Sequence, residues 1–272
     1  MAKTKLTSFD SLSLQDIDQD ADLIPLMTPE DEEEINREEL PETLPILPLR
    51  NTVLFPGVVI PITAGRDTSI KLINEANNDS KIIGVVAQKD EEVENPTAKD
   101  IYRTGVVARI LRVLKMPDGN TTVIIQGKKR FEIDEIVKEE PYLTASIKEV
   151  PEARPEIDNK EFPAIIDSIK ELALQIIKGS PNIPSEASFA IKNIESSSFL
   201  INFVSSNMNL AVEDKQNLLE TNDLKERALA TLRHMNVEYQ KLELNADYSK
   251  VEIAPKDLGF CCPSRENSQR HL

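Results

Sequence analysis

Two hydrophobic periods divide this chain. Between residues 43 and 152 apolar side chains alternate with polar ones or run in short blocks broken by proline, glycine and asparagine; from Lys160 onward they recur every three to four residues. The first region opens on LPILPLRNTVLFPGVVIPITAGR, Leu44 to Arg66, where four prolines interrupt β-branched and aliphatic residues. Proline fixes φ and lacks an N–H, so the stretch reads as short strands bent at Pro45, Pro48, Pro56 and Pro61. Ile70, Leu72, Ile73 and Ala76 then predict a short helix capped by Asp67 or Thr68 and ending near Asn77-Asn78. Lys81 to Ala87 reads as a buried strand. Gln88 to Asp100 is an acidic loop, and Gly105 to Leu114 is a further strand. Pro117-Asp118-Gly119-Asn120 is a turn that returns the chain into a strand over Thr121 to Gln126. Arg130 to Val137 and Leu143 to Lys148 alternate as two more.

The second region is helical. Phe162, Ile165, Ile166, Ile169, Leu172, Ala173, Ile176 and Ile177 share one face until Gly179 and Pro181 stop the helix. A second helix starts at Pro184-Ser185, a third carries Phe199, Leu200, Phe203 and Val204, and Asp214 to Glu220 is a short fourth. The last begins at Asn222, with apolar Leu224, Ala228, Leu232, Met235, Tyr239 and Leu242 at near-heptad steps. The fold class is therefore α+β. A β-rich pseudo-barrel of about six strands and one or two helices spans residues 43–152, and a helical bundle with a long last helix spans residues 153–244.

The ends differ from both. Residues 1–42 alternate Asp16, Asp18, Asp20 and Asp22 with small or apolar residues and then carry the block Glu30-Asp31-Glu32-Glu33-Glu34, a pattern that predicts an acidic disordered tail. Such a tail either solubilises the chain or docks on it as a self-inhibiting segment. Over residues 245–272, Pro255, Gly259 and Pro263 predict an irregular tail.

Charge and composition then narrow the function. A formal net charge of −15 opposes nucleic acid as a partner, and the run Lys128-Lys129-Arg130 reads as a solvated turn. No apolar run reaches the ~20 residues of a membrane helix. The N-terminus lacks a signal peptide's apolar region, and the adjacent Cys261 and Cys262 make neither a disulfide nor a zinc site by themselves. These features fit a cytoplasmic protein.

Several spaced motifs, in order, resemble one family. The stretch Leu44 to Arg66, then Ser69-Ile70, Val86 to Lys89, Gly105 to Ile110, Leu114 to Gly119, and Gly127 with Arg130 are similar to the N-terminal domain of the Lon ATP-dependent proteases. Leu210, Lys215-Gln216, Leu219-Glu220 and Asn222 to Arg227 are similar to the helical segment that follows it. The resemblance runs from about Thr43 to about Leu244. It implies a substrate-recognition and assembly region of a serine protease that degrades misfolded and regulatory proteins. It also implies binding of unfolded or tagged proteins and self-association into hexameric rings. ATP and magnesium belong to later domains of that family. Nothing in this sequence matches GxxxxGK[ST], since Gly127-Lys128-Lys129 lacks the first glycine and the hydroxyl, and no position inherits the family's serine–lysine pair. No catalytic, cofactor-binding or metal residue is therefore assigned, and the chain alone is expected to turn over neither ATP nor protein. The tail after Leu244 departs from the family, as a premature end or a natural short tail would. The alternative function is a stand-alone protein-binding module without proteolysis. Phe55, Pro56, Val58 and Ile60, with Val59, are the candidates for an apolar substrate groove, and Met116 for a second contact; a place in the core is the competing reading for each.

Overall fold

The computed structural model describes residues 27–116, 120–156, 160–180, 183 and 186–252. The expected disorder of residues 1–26, the turn residues Pro117, Asp118 and Gly119, connector residues 157–159, the helix breaks at Pro181 and Pro184-Ser185, and the tail beyond Glu252 with its two cysteines lie outside these.

Six strands form one sheet: β1 (Thr43–Leu49), β2 (Val59–Ala64), β3 (Ile82–Ala87), β4 (Thr104–Lys115), β5 (Thr121–Lys138) and β6 (Thr144–Glu149). Their order is β2-β5-β4-β3-β1-β6, and β6 pairs back onto β5, so five strands close a ring and β2 hangs on its outside. Only the β1–β3 pair is parallel. Helix α2 (Asp67–Asn78) follows β2 and buries Leu72, Ile73 and Ala76. The prolines sit where the ladder has no partner to lose. The Ile46 N–H donates to the Leu143 carbonyl, on the β6 side of β1. Period two turns the Pro48 nitrogen to that same side, where β6 has already ended at Pro45. The Pro45 nitrogen faces β3, whose pairing begins only at Ile46. Strand β1 therefore runs straight through both prolines.

One difference from the sequence reading is β5. The expected strands 121–126 and 130–137 are a single strand of 18 residues, and the Lys128-Lys129-Arg130 run lies inside it, each side chain buried. Gly127 permits this, because a Cβ there would stand 2.3 Å from the Phe55 carbonyl oxygen. The first part of β5 pairs with β2 and β4, the last with β6. Beyond Arg109, β4 has no β3 partner, so the end of the β4–β5 hairpin and β2 make a three-stranded wing leaving the ring.

Helices α3 (Glu161–Gly179), α4 (Glu186–Asn193), α5 (Ser197–Asn207), α6 (Val212–Glu220) and α7 (Leu224–Glu252) follow. Ser196 caps α5, its hydroxyl accepting from the Phe199 N–H at 3.1 Å. Helix α7 continues eight residues past Leu244, into the segment expected to be irregular. One apolar cluster joins the two regions: Leu54, Phe55 and Ile125 belong to it together with Phe199, Leu219 and Met235. A smaller cluster around Phe131 fills the far end of the ring.

The acidic segment is also ordered further than expected. Helix α1 spans Pro29–Arg37, within the stretch read as a disordered tail. Its cause is a capping box: the Thr28 hydroxyl accepts from the Asp31 N–H, and the Asp31 carboxylate accepts from the Thr28 N–H at 3.0 Å. Pro29 presets the first turn, and the three acids of that turn favour the helix dipole. The same charges that mark a solvated tail here start a helix.

Candidate functional site

The loop between β1 and β2 decides where the candidate residues go. Asn51 (φ 57°) turns it inward and Gly57 (φ 81°) turns it out again, both in the left-handed region. Between them Val53, Leu54 and Phe55 are buried, Phe55 completely. Phe55, the residue expected to face a partner, is thus a core side chain, held between the ring and α5 in the main apolar cluster. Val58 is buried as well. Pro56 is half-buried and lines a small polar cavity. Val59 and Ile60 are half-exposed on β2, and Met116 is 41% exposed at the hairpin end.

A groove of about 1620 Å³ brings Val58, Val59, Ile60 and Met116 together. It exceeds the usual range of small-molecule pockets and matches several residues of extended chain. One wall is β2 along its whole length; the other comprises the open edge of β1 (Leu47, Pro48, Leu49) and, from 140 residues further on, Phe199 and Phe203 of α5. The two rings lie 5.9 Å apart and tilted by 50°. Sequence reading used Phe199 and Phe203 only as an inward helix face; nothing in their spacing shows that α5 reaches β2.

The groove floor is an unpaired strand edge. The Gly127 N–H donates to the Val58 carbonyl at 2.9 Å, which sets the phase of the β2–β5 ladder. Period two then leaves the main-chain groups of Val59, Pro61 and Thr63 turned away from β5. Pro61 has no N–H, so this edge offers two donors, at Val59 and Thr63, and three carbonyls. At its far end Arg66 donates to the Gln88 side chain at 2.8 Å, and Arg50 to the Val93 and Glu94 carbonyls. Partial burial, with the nearby Arg50, lowers the Arg66 pKa, and Glu94 works against both. Among the lining residues there is no histidine, cysteine or lysine to activate a nucleophile. The chemistry on offer is non-covalent: apolar contact, main-chain hydrogen bonding and polar contact with side chains such as Asn51, Thr63, Asn95 and Asn207.

A second cleft adjoins it and has the opposite character. It encloses about 220 Å³ and shares Gly57 and Phe199 with the groove. Its walls are the buried cations that sequence reading placed in a solvated turn. Arg130 donates to the carbonyls of Leu219 (3.0 Å), Thr221 (3.1 Å) and Pro151 (3.2 Å) and to the Asn222 side chain (3.1 Å). Arg227, wholly buried, donates to the Thr221 carbonyl and the Asn202 side chain and pairs with Glu152 at 3.0 Å. Asn202 donates in turn to the Pro56 carbonyl. Burial, with Arg227 beside it, brings the Arg130 pKa down to about 10 against the pull of Glu152; burial likewise lowers Arg227. Helix α1 closes this cleft. Glu38 pairs with Lys128 and offers its carbonyl to Lys129, while Glu32 takes Arg154 and the Ser196 hydroxyl. The buried Met27 and the Phe199 ring both lie against Gly57, where the two clefts meet.

Comparison with known proteins gives one family. Residues 43–237 match the family model described as the ATP-dependent protease La (LON) substrate-binding domain. The Lon protease of Flavobacterium johnsoniae is 73% identical over 254 residues, which covers 93% of this chain and 31% of that protein. The Lon protease of Cytophaga hutchinsonii is 49% identical over 231 residues, 85% of this chain and 28% of that one. Among solved structures, the N-terminal domain of a Mycobacterium avium complex Lon protease superimposes with a TM-score of 0.59 at 25% identity, covering 71% of this chain and 98% of that domain. The Xanthomonas campestris Lon N-terminal domain protein shares the fold, with a TM-score of 0.51 at 16% identity. The chain belongs to the LON substrate-binding domain family, and it spans under a third of the length of these curated relatives.

Proposed function

We propose that this chain is the polypeptide-receiving part of a Lon-type ATP-dependent protease, and that the groove along the open edge of β2 holds an extended apolar segment of an unfolded or tagged protein. The observation that carries the reading is an apolar groove laid along an unpaired strand edge, in a chain of a substrate-binding family. A strand edge recognises main chain and so accepts many sequences; the flanking Ile60, Met116 and Phe203 select for apolar content. In this reading ATP, magnesium and the cutting residues belong to other parts of a cytoplasmic, self-associating protease, and this region supplies capture. No helix among the described residues is long and apolar enough to cross a membrane.

The test is anisotropy of a labelled, reduced and carboxymethylated protein titrated with the full chain. Ile60→Lys with Met116→Ser is expected to weaken binding at least tenfold. Phe189→Ser, on an exposed phenylalanine of α4 outside the groove, is the control and is expected to leave it unchanged. Wild-type affinity in the double variant overturns the reading.

A further inference from the structure

The charged cleft holds a seat that its own cover fills incompletely. Helix α1 meets it through two carboxylates and one apolar side chain. Glu32 accepts from the Arg154 guanidinium and the Ser196 hydroxyl, and Glu38, at the C-cap, takes Lys128. The half-buried Ile35 lies between them and lines the cleft. Steps of three put Glu32, Ile35 and Glu38 along one side of the helix, while Glu30, Glu33 and Glu34 stay exposed. About 220 Å³ remains between α1 and the residues it covers, among them Pro56, Gly57 and Phe199. Those covered residues lie within the family match, which begins at residue 43; α1 precedes it.

Charge says what the seat takes. Apart from α1, the cleft is lined by four cations, Lys128, Lys129, Arg130 and Arg154, and two carboxylates, Glu149 and Glu152. In a chain of net charge −15 this is a local excess of positive charge. Without α1, Lys129 keeps Glu149 at 3.2 Å and Arg154 keeps Glu152 at 3.7 Å. The buried Lys128, by contrast, has Glu38 as its one acid partner among the described residues. An empty seat therefore strands a buried cation, and any occupant must bring a carboxylate to it. The pairs that α1 makes are only partly shielded: the side chains of Glu38 and Arg154 are 43% and 54% exposed, so water and salt weaken them. We propose that this cleft is a second docking site, for an acidic amphipathic helix of a partner protein with Glu-x-x-Φ-x-x-Glu spacing, where Φ is a large apolar residue, and that α1 is the resident stand-in which such a helix displaces. A Φ side chain bulkier than Ile35 gains contacts by taking up part of the unfilled volume. Leu40 packs on the smaller cluster of the ring, so a short tether keeps α1 close enough to return when the partner leaves. Occupancy of this seat does not depend on what the groove binds.

The probe is a labelled synthetic peptide of residues 28–40 carrying Ile35→Phe, titrated by anisotropy with the full chain. In the chain, Glu32→Gln with Glu38→Gln removes both carboxylates of α1 and leaves every cation of the cleft in place. The peptide is expected to bind this variant about tenfold tighter than wild type, whose tethered α1 competes for the seat. Adding Lys128→Gln to the variant is expected to cost most of that gain, which places the peptide on the seat. The peptide with Glu32→Gln and Glu38→Gln is expected to bind neither chain. In the wild-type chain, where no fold is at risk, saturating peptide is expected to speed amide exchange in α1 about tenfold and to leave β5 unchanged. Equal affinity for variant and wild type, no binding to the variant, or unchanged α1 exchange under saturating peptide each overturns the docking site. A wild-type dimer in light scattering that is lost in the Glu32→Gln, Glu38→Gln variant assigns the seat to α1 of a second copy and overturns the partner protein.

Discussion

The two clefts that meet at Gly57 and Phe199 are neighbours with opposite designs. The charged one is small, and its Arg130, with Arg227 beside it, is committed to carbonyls, side-chain amides and a carboxylate; the other is large and has a strand edge left unpaired. In the first, buried arginines bind the ring to the helices, and any exchange of their partners would strand a charge. In the second, little is committed, so a partner can come and go. Burial of conspicuous chemistry marks the structural site here, and incompleteness of plain backbone marks the functional one.

The contrast breaks hardest at Arg227. Arg227→Ala removes the buried cation from Asn202 and from Glu152, which keeps only the exposed Arg154 as a cation partner, at 3.7 Å, a loss of about 3 kcal/mol. At roughly 2–4 °C per kcal/mol for a chain of this size, the thermal midpoint is expected to fall by about 6–12 °C. Client affinity, measured well below that midpoint, is expected to stay at the wild-type value. A stable Arg227→Ala protein that no longer binds client would reverse the assignment of the two clefts.

Gly57→Ala comes next, because Gly57 belongs to both. A non-glycine residue at φ 81° costs about 1–3 kcal/mol, and its Cβ would stand 2.6 Å from the Met27 Cε and 2.7 Å from the Phe199 ring. The midpoint is expected to drop by several degrees, and exchange in α1 to speed up as Met27 is pushed out. Loss of stability with no change in α1 would show that Met27 does not hold the segment in place.

How far the sequence announced these two sites follows from what each is made of. Continuous apolar runs identify β3 and β4, alternation identifies β6, and period 3.6 identifies α3 and α5, because each pattern reports burial along its own element. The Lys128-Lys129-Arg130 run was unreadable as core: its partners are Glu38, Glu149 and carbonyls near residue 220, and no local period records partners so distant. Phe55 was misplaced for a similar reason, since a proline-flanked loop looks exposed until α5 is laid over it. Helix α1 was masked by like charges whose second member, Asp31, is also a cap. Of the groove, Ile60 and Met116 were visible as apolar residues in a Lon-like motif, but Phe199 and Phe203 arrive only through the tertiary fold.

Thr63→Pro sharpens the functional side of the contrast. The Thr63 nitrogen faces the open edge, so proline there removes no ladder bond to β5, and stability is expected to change by less than about 1 kcal/mol, chiefly through the lost Thr63–Thr122 hydroxyl contact. It removes one of the two free donors of the groove. Client binding is expected to weaken about fivefold, the worth of one hydrogen bond of about 1 kcal/mol. Unchanged affinity would mean that clients use the side chains alone and add no strand.

The smallest effect sits on the charged side, in the cap of α1. Thr28→Ala removes the hydroxyl that accepts from the Asp31 N–H, a local loss of about 1 kcal/mol, so amide exchange within α1 is expected to quicken about fivefold with little change in the midpoint. The same box has a pH signature. The Thr28 N–H, and after it the Thr28 hydroxyl, hold the Asp31 pKa below the ordinary carboxylate value. A depressed carboxylate stabilises the folded cap above its unfolded pKa of about 3.9, and that contribution is lost as pH falls through the lower folded value. Exchange in α1, corrected for intrinsic rate, is therefore expected to be flat from neutral pH down to about 4 as far as the cap is concerned and to rise below it, and Asp31→Asn is expected to flatten the part due to the box. If Thr28→Ala instead lowers the midpoint as far as Arg227→Ala does, then α1 is part of the charged junction's core rather than its cover, and the cleft cannot open without unfolding what lies beneath.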